Sequence, residues 1–228
     1  MNFKRLAVAA ALGSATVSGA ALAEVSVNVG LASQYLFRGL EQTSGAAVSG
    51  GIDYASESGF YAGTWASTIG FASDSGTGAE MDFYAGFSGE SGSFGYDVGA
   101  IYYWYSEEDE PGAGTGTISN NTIELYGSVS FGPATLGLAY SLADYFAVTD
   151  DTVIYPYLDL SFPVSEMLAL DLHVGQQTFS EDGIDDVVDY SIGLSAESES
   201  GLSFGLALVA TDIDDDDIKP VISGGYSF

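Results

Sequence analysis

Apolar residues recur at every second position through most of the chain. Val25, Val27, Val29 and Leu31 share one face, and Ser26, Asn28, Gly30 and Ala32 share the other. Ile123, Leu125, Val129 and Phe131 stand opposite Thr122, Glu124, Tyr126, Ser128 and Ser130. Leu168, Leu170, Leu172 and Val174 oppose Ala169, Asp171, His173 and Gly175, and Leu202, Phe204, Leu206 and Leu208 oppose Ser203, Gly205 and Ala207. A period of two marks a half-buried strand rather than a helix. Twelve strands are predicted: Val25–Arg38, Val48–Ala55, Phe60–Thr68, Glu80–Ser88, Phe94–Tyr105, Thr122–Phe131, Thr135–Tyr145, Val153–Phe162, Met167–Thr178, Val187–Ala196, Leu202–Thr211 and Ile218–Phe228. Their lengths centre on 9–12 residues. A tilted membrane strand needs about that many, whereas soluble strands are nearer 5–6.

The connections alternate as well. Ser56-Glu57-Ser58-Gly59, Gly132-Pro133-Ala134 and Glu197-Ser198-Glu199-Ser200-Gly201 are short turns, and the others are mostly longer and more acidic, residues 106–121 forming the longest. Short turns at one end and long loops at the other are the pattern of an outer-membrane barrel. Such persistent apolar faces need either lipid or a shared core. In a soluble β-sandwich they would pack on each other; in a membrane barrel they point outward around a polar lumen. Strand length favours the barrel, as does the C-terminal alternation of Ile222, Tyr226 and Phe228. A last strand ending in an aromatic resembles the signal read by the barrel-assembly machinery. Tyr35, Phe37, Trp104, Phe131, Phe162 and Phe228 sit near strand ends, where interfacial girdles lie. The expected fold is thus all-β: an antiparallel transmembrane barrel of about 12 strands, in contact with outer-membrane lipid and lipopolysaccharide. The even strand count places both termini on the periplasmic side.

Composition narrows the function. Of 228 residues, 32 are Asp or Glu and 4 are Lys or Arg, for a formal charge of −28. So few cations exclude nucleic-acid binding, which needs Lys and Arg on the phosphates. Thirty aromatic residues argue against a disordered acidic chain. The absence of cysteine removes disulfides, thiolate metal sites and thiol nucleophiles, and a single histidine removes a His-rich metal centre. Met1–Ala23 carries Lys4 and Arg5, then an alanine-rich apolar stretch, then Ala21-Leu22-Ala23 before Glu24. That is the layout of a cleaved signal peptide. Residues 24–228 are then the mature barrel, with Arg38 and Lys219 as its only basic residues.

The polar phase of the strands carries Asp53, Glu80, Asp82, Asp97, Glu124, Asp159, Asp171 and Asp189, joined by Arg38, His173 and Lys219. A carboxylate facing hydrocarbon costs several kcal/mol, so these eleven are the candidate pore-lining residues. Arg38 and Lys219, on the two strands that close the ring, are expected to neutralise neighbours within one sector. Two cations cannot pair eight carboxylates, and the surplus favours cation passage. Twelve strands give a backbone diameter of roughly 24 Å and a bore of about 10 Å at best. Gly63, Gly95, Gly99, Gly137, Ala139, Gly193 and Gly205 suggest open space in it; Tyr84, Tyr103, Tyr126, Tyr155 and Tyr157 suggest narrowing.

Half of the acids crowd one mouth: Glu107, Glu108, Asp109 and Glu110; Asp144, Asp150 and Asp151; Glu181, Asp182, Asp185 and Asp186; Asp212 and Asp214 to Asp217. Such a rim attracts cations, but Asp212–Asp217 lacks the glycine and final glutamate of an EF-hand loop. No Gly-x-Ser-x-Gly, P-loop or His-Glu-x-x-His motif is present. Neither an enzyme nor a cofactor or resident metal is expected.

Several stretches resemble the TorF family of proteobacterial porins. Leu31-Ala32-Ser33-Gln34-Tyr35-Leu36-Phe37-Arg38-Gly39, followed by Gln42-Thr43, is similar to that family's opening strand. Gly50-Gly51-Ile52-Asp53-Tyr54, Gly59-Phe60-Tyr61-Ala62-Gly63-Thr64-Trp65-Ala66-Ser67, Glu80-Met81-Asp82-Phe83-Tyr84-Ala85-Gly86-Phe87 and Tyr96-Asp97-Val98-Gly99 continue the likeness. The resemblance implies an outer-membrane barrel of porin type and supplies neither a substrate nor catalytic residues. The expected function is passive diffusion of small solutes through a cation-preferring channel. The alternatives are a non-conducting barrel whose acidic loops bind divalent cations or a surface partner, and a soluble exported sandwich.

Overall fold

Twelve antiparallel strands close on themselves into a barrel, as the two-residue period predicts. The computed structural model describes residues 23–70, 78–106, 120–143, 145–146 and 148–228. The expected signal peptide therefore lies, apart from Ala23, outside the described residues, as do Glu107, Glu108, Asp109, Glu110 and Asp144 of the acidic loops. β1 (Glu24–Ala32) is followed by two short strands outside the ring, β2 (Leu36–Phe37) and β3 (Leu40–Glu41). The ring continues with β4 (Ala47–Ala55), β5 (Phe60–Ile69), β6 (Gly78–Ser91), β7 (Phe94–Tyr105) and β8 (Thr122–Phe131). It is completed by β9 (Ala134–Ala143), β10 (Val153–Pro163), β11 (Leu168–Phe179), β12 (Val187–Glu197), β13 (Leu202–Thr211) and β14 (Lys219–Ser227). β1 pairs with β4 on one side and β14 on the other. The Phe228 amide also donates to the Val27 carbonyl, at 2.9 Å, so the chain's last residue is stitched to its first strand.

Both ends of the described chain lie at the barrel end where strands are joined by tight turns. Glu24 pairs with Ala55 beside the 56–59 turn, and Ser227 donates to Gly201 in the 198–201 turn. The longer connections lie at the opposite, loop end. On the outer face Val25, Leu31, Leu136, Phe204, Leu206 and Ile222 are exposed all around the ring. An apolar surface this continuous far exceeds what a soluble monomer shows. The apolar faces point out, not onto each other, which removes the sandwich. Trp104, Phe131, Phe162 and Phe228 lie on this outer face, as expected.

The first predicted strand needs correction. β1 stops at Ala32, and residues 33–46 turn into the barrel. Tyr35 and Phe37 are not lipid-facing; both are buried, together with Leu36 and Arg38. Four consecutive buried residues cannot lie on a barrel strand, which presents alternate residues to lipid. Tyr35 and Phe37 pack with Ile101, Tyr103 and Tyr105 on one wall, while Leu36 packs with Val209 and Val221 on another. The segment thus crosses the interior. The seventh predicted strand also ends early, at Ala143, and Tyr145 turns inside with its hydroxyl on Arg38.

Three glycines of the inner face are not open space. Each of Gly63, Gly99 and Gly137 lies opposite a tyrosine on the neighbouring strand: Tyr84, Tyr126 and Tyr157 respectively. The rings lie flat across them. A Cβ added at Gly63 or Gly99 would fall 2.6 Å from the facing ring, and one at Gly137 would collide with Tyr157 outright. These positions are seats for aromatic rings, so the small residues narrow the interior by admitting tyrosine. Gly137→Ala should therefore destabilise the folded barrel by about 1–3 kcal/mol, the ordinary cost of overpacking. In a Tyr157→Ala background the same substitution should cost almost nothing. Urea unfolding of the four-member cycle measures this, and an undiminished cost in that background would show that the ring is not the cause.

Candidate functional site

The inserted segment is a hairpin. Phe37 pairs with Leu40 across a two-residue turn made by Arg38 and Gly39. Both turn residues have positive φ, 50° and 78°, the conformation of the tight turn that matches strand twist. Glycine takes it freely, whereas an L-residue such as arginine does so at a cost of about 1–2 kcal/mol. A Cβ on Gly39 would also strike Thr211 and Asp189 on the far wall. The hairpin is anchored at its base, where the Tyr35 amide donates to Thr43 Oγ1 (2.8 Å) and the Gln42 amide to the Tyr35 carbonyl (2.9 Å). Thr43 bridges in turn to Gly70 at the end of β5.

Arg38 projects from the tip to β8. Its Nη1 donates to Glu124 Oε1 at 2.9 Å and its Nη2 to Glu124 Oε2 at 2.8 Å. Nη1 also donates to the Tyr145 hydroxyl at 2.8 Å, and that hydroxyl donates to Gln177 Oε1 on β11 at 2.6 Å. Tyr103 adds a hydroxyl to Glu124 Oε2 at 3.2 Å. The guanidinium carbon lies 4.1 Å from the Tyr155 ring centre and 4.7 Å from that of Phe37. Arg38 is only 8% exposed. This is a two-toothed, stacked contact that lysine could not make, and its satisfied donors offset the cost of burying both charges.

The second cluster lies against the first. His173 on β11 places Nδ1 2.6 Å from Asp159 Oδ1 and Nε2 2.9 Å from Asp189 Oδ2. Tyr155 donates its hydroxyl to Asp189 Oδ1 at 2.9 Å. Its ring meanwhile lies beneath Arg38, so one tyrosine belongs to both clusters. A carboxylate on each ring nitrogen suits an imidazolium that donates from both.

The other candidate residues are spread around the wall. Asp53 accepts from the Tyr84 hydroxyl and from Asn28 Nδ2 (3.2 Å). Asp97 accepts from Tyr61 (2.6 Å), whose oxygen also lies 2.6 Å from that of Tyr126. Asp171 accepts from Ser195 (2.6 Å), and Glu80 from Tyr35 (2.9 Å). Asp82 has no hydrogen-bond partner on either oxygen. Lys219 pairs with Asp216 in the loop before it, and Thr211 donates to the same carboxylate at 2.5 Å. Partial burial works against ionisation there, but the hydrogen bonds from Lys219 and Thr211 hold the Asp216 carboxyl below the usual carboxylate range.

Arg38 and Lys219 do not share a sector. Arg38 is not on the first strand at all, and the hairpin carries it across the lumen to β8. The interior is instead solvated by tyrosine: Tyr35, Tyr61, Tyr84, Tyr103 and Tyr155 each give a hydroxyl to a carboxylate. Strand phase placed most of these rings inside, but their hydrogen-bond partners lie on other elements. Gln177 and Tyr145 were missed. The signal for the hairpin was the unalternating run Tyr35-Leu36-Phe37 before Arg38-Gly39.

The interior differs between its two ends. Toward the loop end Glu80, Asp82, Tyr103, Glu124, Ser141, Val153 and Gln177 are all sealed from solvent. Toward the turn end Asp53, Tyr61, Asp97, Ser128, Asp159 and Asp171 are only half-buried. The hairpin therefore closes the loop-end half, and the polar groups beyond it are the less buried ones.

Solved structures share this architecture. The KdgM porin aligns with a TM-score of 0.58 at 10% identity, covering 89% of this chain and 99% of its own. The KdgM porin in complex with disordered oligogalacturonate gives 0.60 at 9% identity, with the same coverage. The NanC porin gives 0.56 at 9% identity, covering 90% of this chain and 99% of its own. At such identities the likeness is one of fold. Among curated proteins nothing matches. Residues 16–223 match a family described as "Bacterial protein of unknown function (Gcw_chp)", and the chain belongs to that family.

Proposed function

We propose that this chain is an outer-membrane channel of porin type, occluded by its own hairpin, that passes small solutes passively and prefers cations. The observation that carries this reading is the hairpin held across a polar lumen by Arg38 and Glu124. A barrel built only to be a solid membrane plug could fill its interior with ordinary side chains. Here the loop end is filled instead by a separate segment on a polar latch, and the polar side chains of the turn-end half are less buried. The KdgM and NanC structures, named as porins, support the same reading. Residues 1–23 act in it as a cleaved signal peptide, the termini face the periplasm, and the strand ending at Phe228 addresses the barrel-assembly machinery. Asp53, Asp97, Asp159 and Asp171 line the accessible half and supply the cation preference. No enzymatic role is assigned.

A second reading is favoured by the sealed loop-end half: a barrel that never conducts and works through its acidic loops. Planar-bilayer recording separates the two. Wild-type protein should give small, intermittent steps under a KCl gradient. Replacing residues 34–44 by a short Gly-Ser link should give large steady steps with a cation-selective reversal potential. Silence from that variant, once its heat-modifiable gel mobility shows a folded barrel, would sink the channel reading in favour of the second.

Two further outcomes follow from the same geometry. Arg38→Ala strands Glu124 in a buried site, which costs about 3–5 kcal/mol when one partner of such a pair is removed. It should lower the unfolding midpoint in urea and lengthen open times, and Arg38→Ala with Glu124→Ala should recover much of the stability while leaving the channel open. Asp53→Asn with Asp97→Asn should move the reversal potential toward zero in the hairpin-shortened channel. An unchanged potential would place selectivity in the loops.

A further inference from the structure

Three carboxylate oxygens in the loop-end half are buried and make no hydrogen bond: Glu80 Oε2, Asp82 Oδ1 and Asp82 Oδ2; the Tyr105 hydroxyl approaches Glu80, and Asp82 has no such neighbour. Glu80 and Asp82 are both 0% exposed. They stand two positions apart on β6, so both side chains project from the same face into the interior. Asp82 sits between Trp65 on β5 and Tyr103 on β7, and Glu80 between Ser67 and Tyr105. Tyr35 closes the space from the hairpin side through its bond to Glu80 Oε1. Asp82 also feels the charges of Glu80 and Glu124.

No protein cation is left to serve them. Arg38 is held by Glu124, His173 lies between Asp159 and Asp189, and Lys219 is paired with Asp216. These are all the cationic side chains among the described residues. Buried charges in proteins are paired or coordinate metals, and a buried polar atom without a partner calls for a missing ion, water or proton.

We propose that Glu80 and Asp82 bind one hard divalent cation, of the calcium class, between β6 and the hairpin. Their two formal negative charges match one such ion. Carboxylate oxygens are the ligands hard cations prefer, with neutral oxygens and water completing the shell. Among the described residues no third acid or histidine is arranged to share an ion, so the remaining ligands are the surrounding hydroxyls and water. The bound ion also stabilises the hairpin, because Tyr35 touches one of its carboxylates. The inference goes beyond the channel reading and holds whether or not the barrel conducts.

The test uses the folded barrel in detergent, stripped with chelator and titrated with CaCl2 at ionic strength fixed by KCl. The thermal midpoint should rise saturably, as it does for any ligand that binds only the folded state. Asp82→Asn, which keeps the side chain's shape, should abolish that rise. Neutralising Asp214, Asp215 and Asp217 in the last acidic loop should leave it intact. Terbium offers a second readout, since Trp65 and Tyr103 flank Asp82 and sensitise a lanthanide bound there; the emission should fall by at least about tenfold in Asp82→Asn. If that variant does not fold, Glu80→Gln replaces it in both measurements. An equal calcium response in wild type and Asp82→Asn would overturn the proposal and assign binding to the loops. A wild-type barrel indifferent to calcium would also overturn it, and a more stable Asp82→Asn barrel would then point to a buried proton.

Discussion

A closed ring of strands leaves the chain one place to put what hydrocarbon rejects, and that place is its inside. Every second residue faces out and most of these are apolar; the carboxylates take the inner phase because the outer one is forbidden to them. Residues 24–228 hold only two Lys or Arg residues to set against this acidity. Charge pairing therefore cannot hold the interior together alone. Tyrosine does much of it: a phenol is apolar enough to fill the bore and carries one good donor for a carboxylate. The glycines opposite the rings belong to the same solution, since each removes a side chain where a ring must lie.

The ring was legible in the sequence because the information for it is local. A period of two can be read from eight residues, and most predicted strand limits differ from the observed ones by no more than two positions. The inward phase of Asp53, Glu80, Asp82, Asp97, Glu124, Asp159, Asp171, His173 and Asp189 followed from the same count. What defeated the reading was non-local. Tyr35 and Phe37 continue the apolar phase of Val25 to Leu31, so the spacing of these two does not separate a strand from a segment that has left the sheet. Leu36 was the dissenting residue: it is apolar where alternation demands a polar one, and it is buried against β13 and β14. Gly63, Gly99 and Gly137 were misread for a similar reason. Their smallness is visible in the sequence, but the rings that need it lie on neighbouring strands.

The porins of like shape share about one residue in ten with this chain. That is enough for a common ring and too little for a common interior. The fold dictates where a side chain points, while the identity of the inner residues determines what the barrel admits. In this chain those residues form two touching clusters, with Tyr155 stacked on the cation of one and hydrogen-bonded to an anion of the other. A change in either cluster is felt by the ring that joins them.

The sequence distances across the latch carry a consequence for the order of assembly. Arg38 meets Glu124 86 residues further along and Tyr145 107 residues further along, while Ser33 at the hairpin base bonds to Ile222 near the other terminus. The hairpin is therefore among the first segments made and the last to find its partners. Contacts so remote form late, because closing long loops costs entropy before any contact offsets it. Until β8 to β10 are in place, the tip has nothing to grip. The tip can therefore dock only once these strands are present, so the latch reports on the assembly of the middle of the barrel rather than on its opening strands.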